Sequence, residues 1–440
     1  MSKNFSLIGQ RLPLTAAFLT FLLFFNIDSV LSQKLNRQEK KILSIVESNH
    51  LEAVSFLEKS VNINSGTLHL AGVRETGNQY FEAYKKLGFE TTWLEMPEEM
   101  NRAGHLMAER IGTAGKKLLL IGHLDTVFEK ESPFQKWELQ GDLAKGPGTA
   151  DMKGGNVVML FALRALHEAN LLKDTQIIVM LHGDEEKAGK PIAVSRGDII
   201  DAAKRSDIAL AFEGASGFNH ATVARRGSSS WSLEVTGIQG HSSQVFSEKY
   251  GAGAIFEASR ILSEFYQKIP EEYLTFNPGL ILGGTTIDFD TAQSLGTAFG
   301  KSNVISQQVM VQGGLRFLSE SQKDAAREKM RAIVSNNLPG TKAEIQFKDS
   351  YPAMSPTTGN LALLSILDQV SQDMGFGVVE AYDPGKRGAG DISFVAQYLD
   401  CLDGLGVMGQ GAHSENEVMD LTTFESMTKR AALLIYRLTR

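Results

Sequence analysis

The chain has 440 residues, more than one compact core accommodates, so two domains are expected. Its formal charge of −7 comes with no basic face to neutralise phosphates, which excludes nucleic acid as a partner. The one cysteine, Cys401, excludes an intramolecular disulfide; with no base near it in sequence, it reads as a small core residue.

Lys3 and Arg11 precede an apolar run, Leu12 to Phe25, and Val30 and Ser32 are acceptable small residues before a cut at Gln33. Residues 1–32 are therefore expected to be a cleaved export signal, leaving a secreted or periplasmic protein with no stable membrane association. The run is short for a full span, which weighs against a retained anchor.

From residue 36 to residue 214 helix-like and strand-like patterns alternate. "RQEKKILSIVESNHLEAVSFLEKSV" and "GVRETGNQYFEAYKKLG" read as helices, and "LLLIGHLD" (Leu118–Asp125) as a strand. A helix follows from Asp151, with an apolar face at Val157, Leu160, Phe161 and Leu163. "IIVMLHG" and "DIALAFEG" are further strands, and the alternation predicts an α/β fold with a mostly parallel sheet. Around Ala224 the texture changes. Arg225–Arg226 reads as a solvated turn, and "RRGSSSWSLEVTGIQGH" alternates apolar and polar residues as half-exposed antiparallel strands do. Together with helices over "GAGAIFEASRILSEFYQKI" and "SQKDAAREKMRAIVSNNL", this predicts an inserted α+β (ferredoxin-like) domain over 224–354. The first domain, 36–223 and 355–440, is then discontinuous.

The chemistry stands at the predicted strand ends. "GHLDTV" supplies His123 and Asp125, "GDEE" supplies Glu185 and Glu186, and "AFEG" supplies Glu213. In open parallel sheets the C-terminal strand ends line one crevice, where ligands bind. Asp151 joins them from a glycine-rich helix start, "GPGTADMKGG", and His413 from a loop, "GQGAHSENE". Taken alone, each is weak: a lone loop histidine is usually solvated, and acids at a helix start are favoured by its dipole. Converging on one edge, two imidazoles and several carboxylates suit Zn²⁺, Mn²⁺ or Co²⁺, in a number that exceeds what one tetrahedral ion needs.

These motifs, with "GHSS" and in this order, resemble those of the M20 di-zinc metallopeptidases, and within them the glutamate carboxypeptidase branch, over nearly everything after residue 32. The resemblance implies a carboxypeptidase-type hydrolase that cleaves an amide beside a free carboxylate, with two Zn²⁺ per subunit (Co²⁺ or Mn²⁺ also possible). It implies that Asp151 bridges the ions, His123 and Glu213 completing one site and Glu186 and His413 the other. Asp125 would accept the remaining N–H of His123, and Glu185 would take a proton from the attacking water and hand it to the leaving amine. It further implies a homodimer through the inserted domain, His241 reaching a partner's site to stabilise the oxyanion. Asn303 and Arg316 would grip a peptide or N-acyl-amino-acid substrate, and Gly388, Gly390 and Asp391 would form a substrate loop. That loop departs from the family pattern: "GAGDIS" has Ala389 in place of a glycine and lacks the usual threonine. Two other readings remain: an N-acyl-amino-acid deacylase or dipeptidase with the same metals, and an inactive metal-binding protein. The presence of Glu185, an acid with no ligand role, speaks against the latter.

Overall fold

A computed structural model describes residues 35–290 and 293–440, so the expected export signal lies outside the described residues. Its larger sheet has six strands, in spatial order Glu90–Leu94, His105–Arg110, Thr175–His182, Ala114–His123, Ile208–Ala211 and Asp400–Leu402. The last four are parallel neighbours, and the two at the other edge pair antiparallel. Leu118–Ile121 and Ile177–Leu181 are buried throughout, as continuous apolar strands covered on both faces must be.

Register places the chemistry. His123 pairs with His182, and Ile121 with Ala211. Glu213 lies two residues beyond Ala211 and so ends level with His123, while Asp184–Glu186 follows directly from His182. Three strands thus deliver their polar ends to one edge.

Helix Arg37–Val61 opens with a capping box: Asn36 accepts from the Gln38 and Glu39 N–H groups, and the Glu39 carboxylate accepts from the Asn36 N–H. Its Ile42, Val46, Ala53 and Leu57 are buried. Helix Lys153–Glu168 packs against it and against the C-terminal helix Leu421–Leu438. The sequence suggested one apolar face on Lys153–Glu168. Every residue from Lys153 to Leu163 is in fact buried, because neighbouring helices cover the side away from the sheet. A side chain at Gly155 would meet the Phe212 carbonyl at 1.9 Å. Glycine there lets the helix start close against the strand end that carries Glu213.

A separate antiparallel sheet follows, in the order Thr275–Gly284, Gln308–Phe317, Gly227–Gly237, Thr341–Tyr351. Helices Ala254–Lys268 and Glu320–Ser335 pack on it around a core that includes Trp231, Leu233, Phe265, Val311, Phe317 and Met330. The chain enters and leaves this unit where Arg225 and Met354 exchange backbone hydrogen bonds of 2.9 and 3.0 Å. A hairpin, Thr286–Asp290 with Leu295–Phe299, adds to the expected order. Among the described residues no helix is long and apolar enough to cross a membrane.

Candidate metal centre

Five side chains meet at the C-terminal edge of the parallel strands. His123 Nε2 lies 3.1 Å from Asp151 Oδ1 and 3.8 Å from Glu213 Oε1. His413 Nε2 lies 3.1 Å from Asp151 Oδ2 and 3.1 Å from Glu186 Oε2. Each Asp151 oxygen therefore serves a different imidazole, and the five residues form two ligand groups that share Asp151. Ligand atoms about 2 Å from a tetrahedral ion stand roughly 3.3 Å apart. The observed spacings bracket that value, so the donor set fits two divalent cations in both chemistry and size.

Electrostatics point the same way. Burial pushes Glu213 up to about 7, and the charge of Asp151 adds to it. Burial, then the charges of Asp391, Glu213 and Glu186, raises Glu185 well above the usual carboxylate range. Burial would raise Asp151 too, but its imidazole partners hold it low, and its carboxylate with that of Glu186 lifts His413 to about 11. His123 is also raised, its carboxylate partners outweighing a burial that works the other way. Glu185, Glu186 and Glu213 are thus shifted towards their neutral forms, while His123 and His413 are shifted towards the charged form that balances Asp151. Bound cations would take the place of the protons these groups hold.

Neighbouring groups hold the ligands in place. His413 adopts the left-handed conformation, φ +63°, uncommon for a side-chain-bearing residue and frequent at functional sites. Glu417 accepts from the backbone N–H groups of Gly148, Ala150 and Asp151 at 3.2, 2.8 and 3.0 Å, clamping the segment that presents Asp151. His123 Nδ1 is 3.0 Å from the Asp125 backbone oxygen and 3.4 Å from its Oδ1, so the main chain is the nearer partner where the carboxylate was expected. The Asp125 carboxylate instead accepts from the Glu185 N–H (3.0 Å), the Glu186 N–H (3.1 Å) and the Thr67 hydroxyl (2.6 Å). It fixes the "GDEE" turn to the His123 strand.

A cavity of about 490 Å³ opens at this edge, and Glu185, Arg316, Tyr351 and Arg387 are among its lining residues. A larger groove, about 790 Å³, lies between helices Arg37–Val61, Leu70–Lys86 and Lys153–Glu168, and includes none of the five ligands. His241 and Asn303 are exposed on the inserted domain and line neither cavity; they are neighbours, the Asn303 carbonyl accepting from the Ser242 N–H at 2.9 Å. The Gly388 carbonyl accepts from Arg225 Nη1 at 3.0 Å, and Gly390 is buried beside the same guanidinium. Asp391, expected in a substrate loop, is turned inward: Arg196 Nε donates to one oxygen at 2.7 Å and His182 holds the other. Arg225, expected in a solvated turn, is buried and paired with Asp403. Cys401 is fully buried, as expected.

Residues 119–437 match the family model for "Peptidase family M20/M25/M40". The chain is 28% identical over 403 residues to carboxypeptidase G2 from Pseudomonas sp. (strain RS-16), covering 87% of this chain and 88% of the relative. It is 25% identical over 363 residues to succinyl-diaminopimelate desuccinylase from Gluconobacter oxydans (strain 621H), covering 78% and 87%. Its fold is similar to that of the aminopeptidase PepT from Bacillus cereus, with a TM-score of 0.71 at 18% identity over 89% of this chain and 99% of that one. A mostly parallel sheet with a separate antiparallel domain and two cation sites joined by one aspartate accord with that match. The chain belongs to peptidase family M20/M25/M40 and is a hydrolase of its metallo-exopeptidase and amidohydrolase type.

Proposed function

We propose that the protein is a glutamate-carboxypeptidase-like exopeptidase, exported from the cytoplasm, that hydrolyses an amide beside a free carboxylate with two zinc ions and works as a homodimer. The observation that carries this is the position of Glu185: it lies in the cavity beside both ligand groups and belongs to neither. When bound, the two cations supply Lewis acidity that polarises the scissile carbonyl and acidifies water. Glu185 accepts the proton of the attacking water and delivers it to the departing nitrogen. The Glu185 N–H bond to Asp125 Oδ1 keeps the turn in place during that transfer. Arg316 presents a planar fork suited to a terminal carboxylate. Similarity to carboxypeptidase G2 supports this reading, and similarity to a succinyl-diaminopimelate desuccinylase supports N-acyl-amino-acid hydrolysis as the second.

A chelator-treated sample should carry no metal and release no glutamate from N-acylglutamates. Adding zinc should restore both, with about two ions per chain by elemental analysis. Full activity in the metal-free sample would refute the proposal.

His241 lies outside the cavity of its own chain, which supports a role at a partner's site. His241→Ala should lower kcat by about 10²-fold or more while metal content stays constant. Parallel loss of metal and activity would count against that role.

A further inference from the structure

The cavity beside the metal ligands continues onto the inserted domain. Helices Ala254–Lys268 and Glu320–Ser335 cover the face of its sheet that carries Trp231, Leu233 and Val235. Ser228, Ser230 and Ser232 alternate with those residues along strand Gly227–Gly237 and so point from the opposite, open face. At the mouth, Ser228 pairs with Arg316 on one side and Tyr351 on the other, and all three line the cavity beside the metal ligands. Ser230, the next residue on the same face, lines a second cavity of about 360 Å³. A third, of about 370 Å³, shares Ser232, Gln312 and Gln346 with the second. One groove therefore runs from the metal ligands along the open face of the sheet.

The lining of the groove indicates its occupant. Ser232 is flanked across the strands by Gln312 and Gln346, and none of the three side chains has a hydrogen-bond partner among the described residues. Hydroxyl and carboxamide groups both donate and accept, which matches the alternating N–H and C=O groups of a peptide. Among the described residues the only charges lining the two outer cavities are Glu234 and Lys348, of opposite sign, so a highly charged ligand finds no complement there. An aliphatic chain would bury the serine and glutamine groups with nothing to answer them. The hairpin of Thr286–Asp290 and Leu295–Phe299 borders the far end, setting Ile287 and Phe289 beside Met310. The Ile287 N–H donates to Gln308 Oε1 at 2.9 Å and ties the hairpin to the sheet.

We propose that this groove binds a peptide chain continuing from the scissile amide, so that the enzyme prefers extended peptides to single N-acyl amino acids. The inference deepens the hydrolase reading above and rests on it. From Ser228 to Ser232 the strand runs about 13 Å, a length that about four extended residues span. The chain can continue from the acyl group or from the side chain of the leaving amino acid, and both present the same amides to the groove. Acetyl-oligoalanyl-glutamates test the first. Acetylglutamates with an amidated oligoalanine joined to the γ-carboxyl test the second, and each series keeps the α-carboxylate free.

On the zinc-loaded full chain, kcat/KM in one series should rise about tenfold or more over roughly the first four alanines and then level off. A side chain added at Gly314, between Gln312 and Arg316 on the same face, meets nothing within 4 Å. Gly314→Phe should therefore fill the groove without disturbing the sheet and flatten the series, and Gln312→Leu should flatten it in part. A Gly314→Phe variant that lost activity on every length alike, with the dependence on length retained, would overturn the inference. An equal gain from N-acylglutamates with aliphatic chains of matched length would overturn the peptide assignment. So would a change in the molecular mass of Gly314→Phe by light scattering, which would make the open face a contact between two copies of this chain. Calorimetry on the metal-free chain reads binding without turnover: the tetraalanyl member of one series should bind about tenfold more tightly than acetylglutamate, and Gly314→Phe should erase the difference. A protein that binds the long peptide in this way yet hydrolyses neither series would sink the hydrolase reading and leave the groove standing. Hydrolysis of both series with no dependence on length would do the reverse.

Discussion

Replacing Glu185 with glutamine is expected to abolish most turnover while leaving both cation sites filled. Glutamine keeps the size of the side chain and removes its ability to take up a proton. Glu185 is absent from both ligand groups, so neither site loses a donor atom. Its backbone N–H, which ties the turn to Asp125, is untouched by the change. Loss of a general base costs about 10²–10⁴-fold, and the deficit should fall on kcat because substrate contacts elsewhere in the cavity remain. Glu186→Gln makes the informative contrast. Its carboxylate lies 3.1 Å from His413 Nε2 within the second ligand group, so metal content should fall together with activity. Paired measurements of bound zinc and kcat distinguish the neighbours. If Glu185→Gln lost one ion per chain, Glu185 would be a ligand and the proton-transfer assignment would fail.

That both acids of "GDEE" stand at the sheet edge could be anticipated because the relevant pattern is local. A buried strand followed at once by "GDEE" places both carboxylates at the sheet edge, and the same holds for "GHLD" and "AFEG". What the linear pattern leaves hidden depends on partners distant along the chain. Arg225 looks like part of a solvated turn until Asp403, 178 positions away, is seen to pair with it. Glu417 is one polar residue in a polar loop, yet its carboxylate organises three N–H groups more than 260 positions earlier. Asp391 reads with its glycine-rich neighbours as part of one loop, and only the inward pairing with His182 and Arg196 shows its direction. In the inserted domain, strand Thr275–Gly284 escapes notice for a different reason. Pro278 and Gly279 interrupt its alternation, and the sheet tolerates them because the strand lies at an edge and shifts register between Pro278 and Leu280.

Arg196→Met is expected to destabilise the protein more than any cavity-lining change. Arg196 is fully buried beneath the "GDEE" turn. Its Nη1 donates to Asp184 Oδ1 at 2.6 Å, its Nη2 to the Asp184 carbonyl at 3.1 Å, and its Nε to Asp391 Oδ1 at 2.7 Å. One guanidinium thus joins the residue preceding Glu185 to the loop after Arg387. Removing one partner of a buried ionic cluster costs about 3–5 kcal/mol, because the carboxylates left behind lose their permanent counterion. Arg196→Met combined with Asp391→Asn should recover part of the loss, since it removes one of those charges. The pH dependence follows from Asp391. Burial alone would raise its pKa, but Arg196, then His182, holds it well below the usual carboxylate range. A depressed carboxylate contributes stability that is present above its unfolded pKa, near 4, and fades as pH falls through the folded value. Without Arg196 burial weighs more heavily against the charged form, so Asp391 takes up a proton in milder acid than in the wild type, with His182 as its remaining partner. The stability gap between wild type and Arg196→Met, read from denaturant unfolding, should therefore narrow from pH 7 towards pH 4. A gap that stayed constant over that range would mean that Asp391 is not the charge Arg196 compensates, and the destabilisation would then reflect lost packing alone.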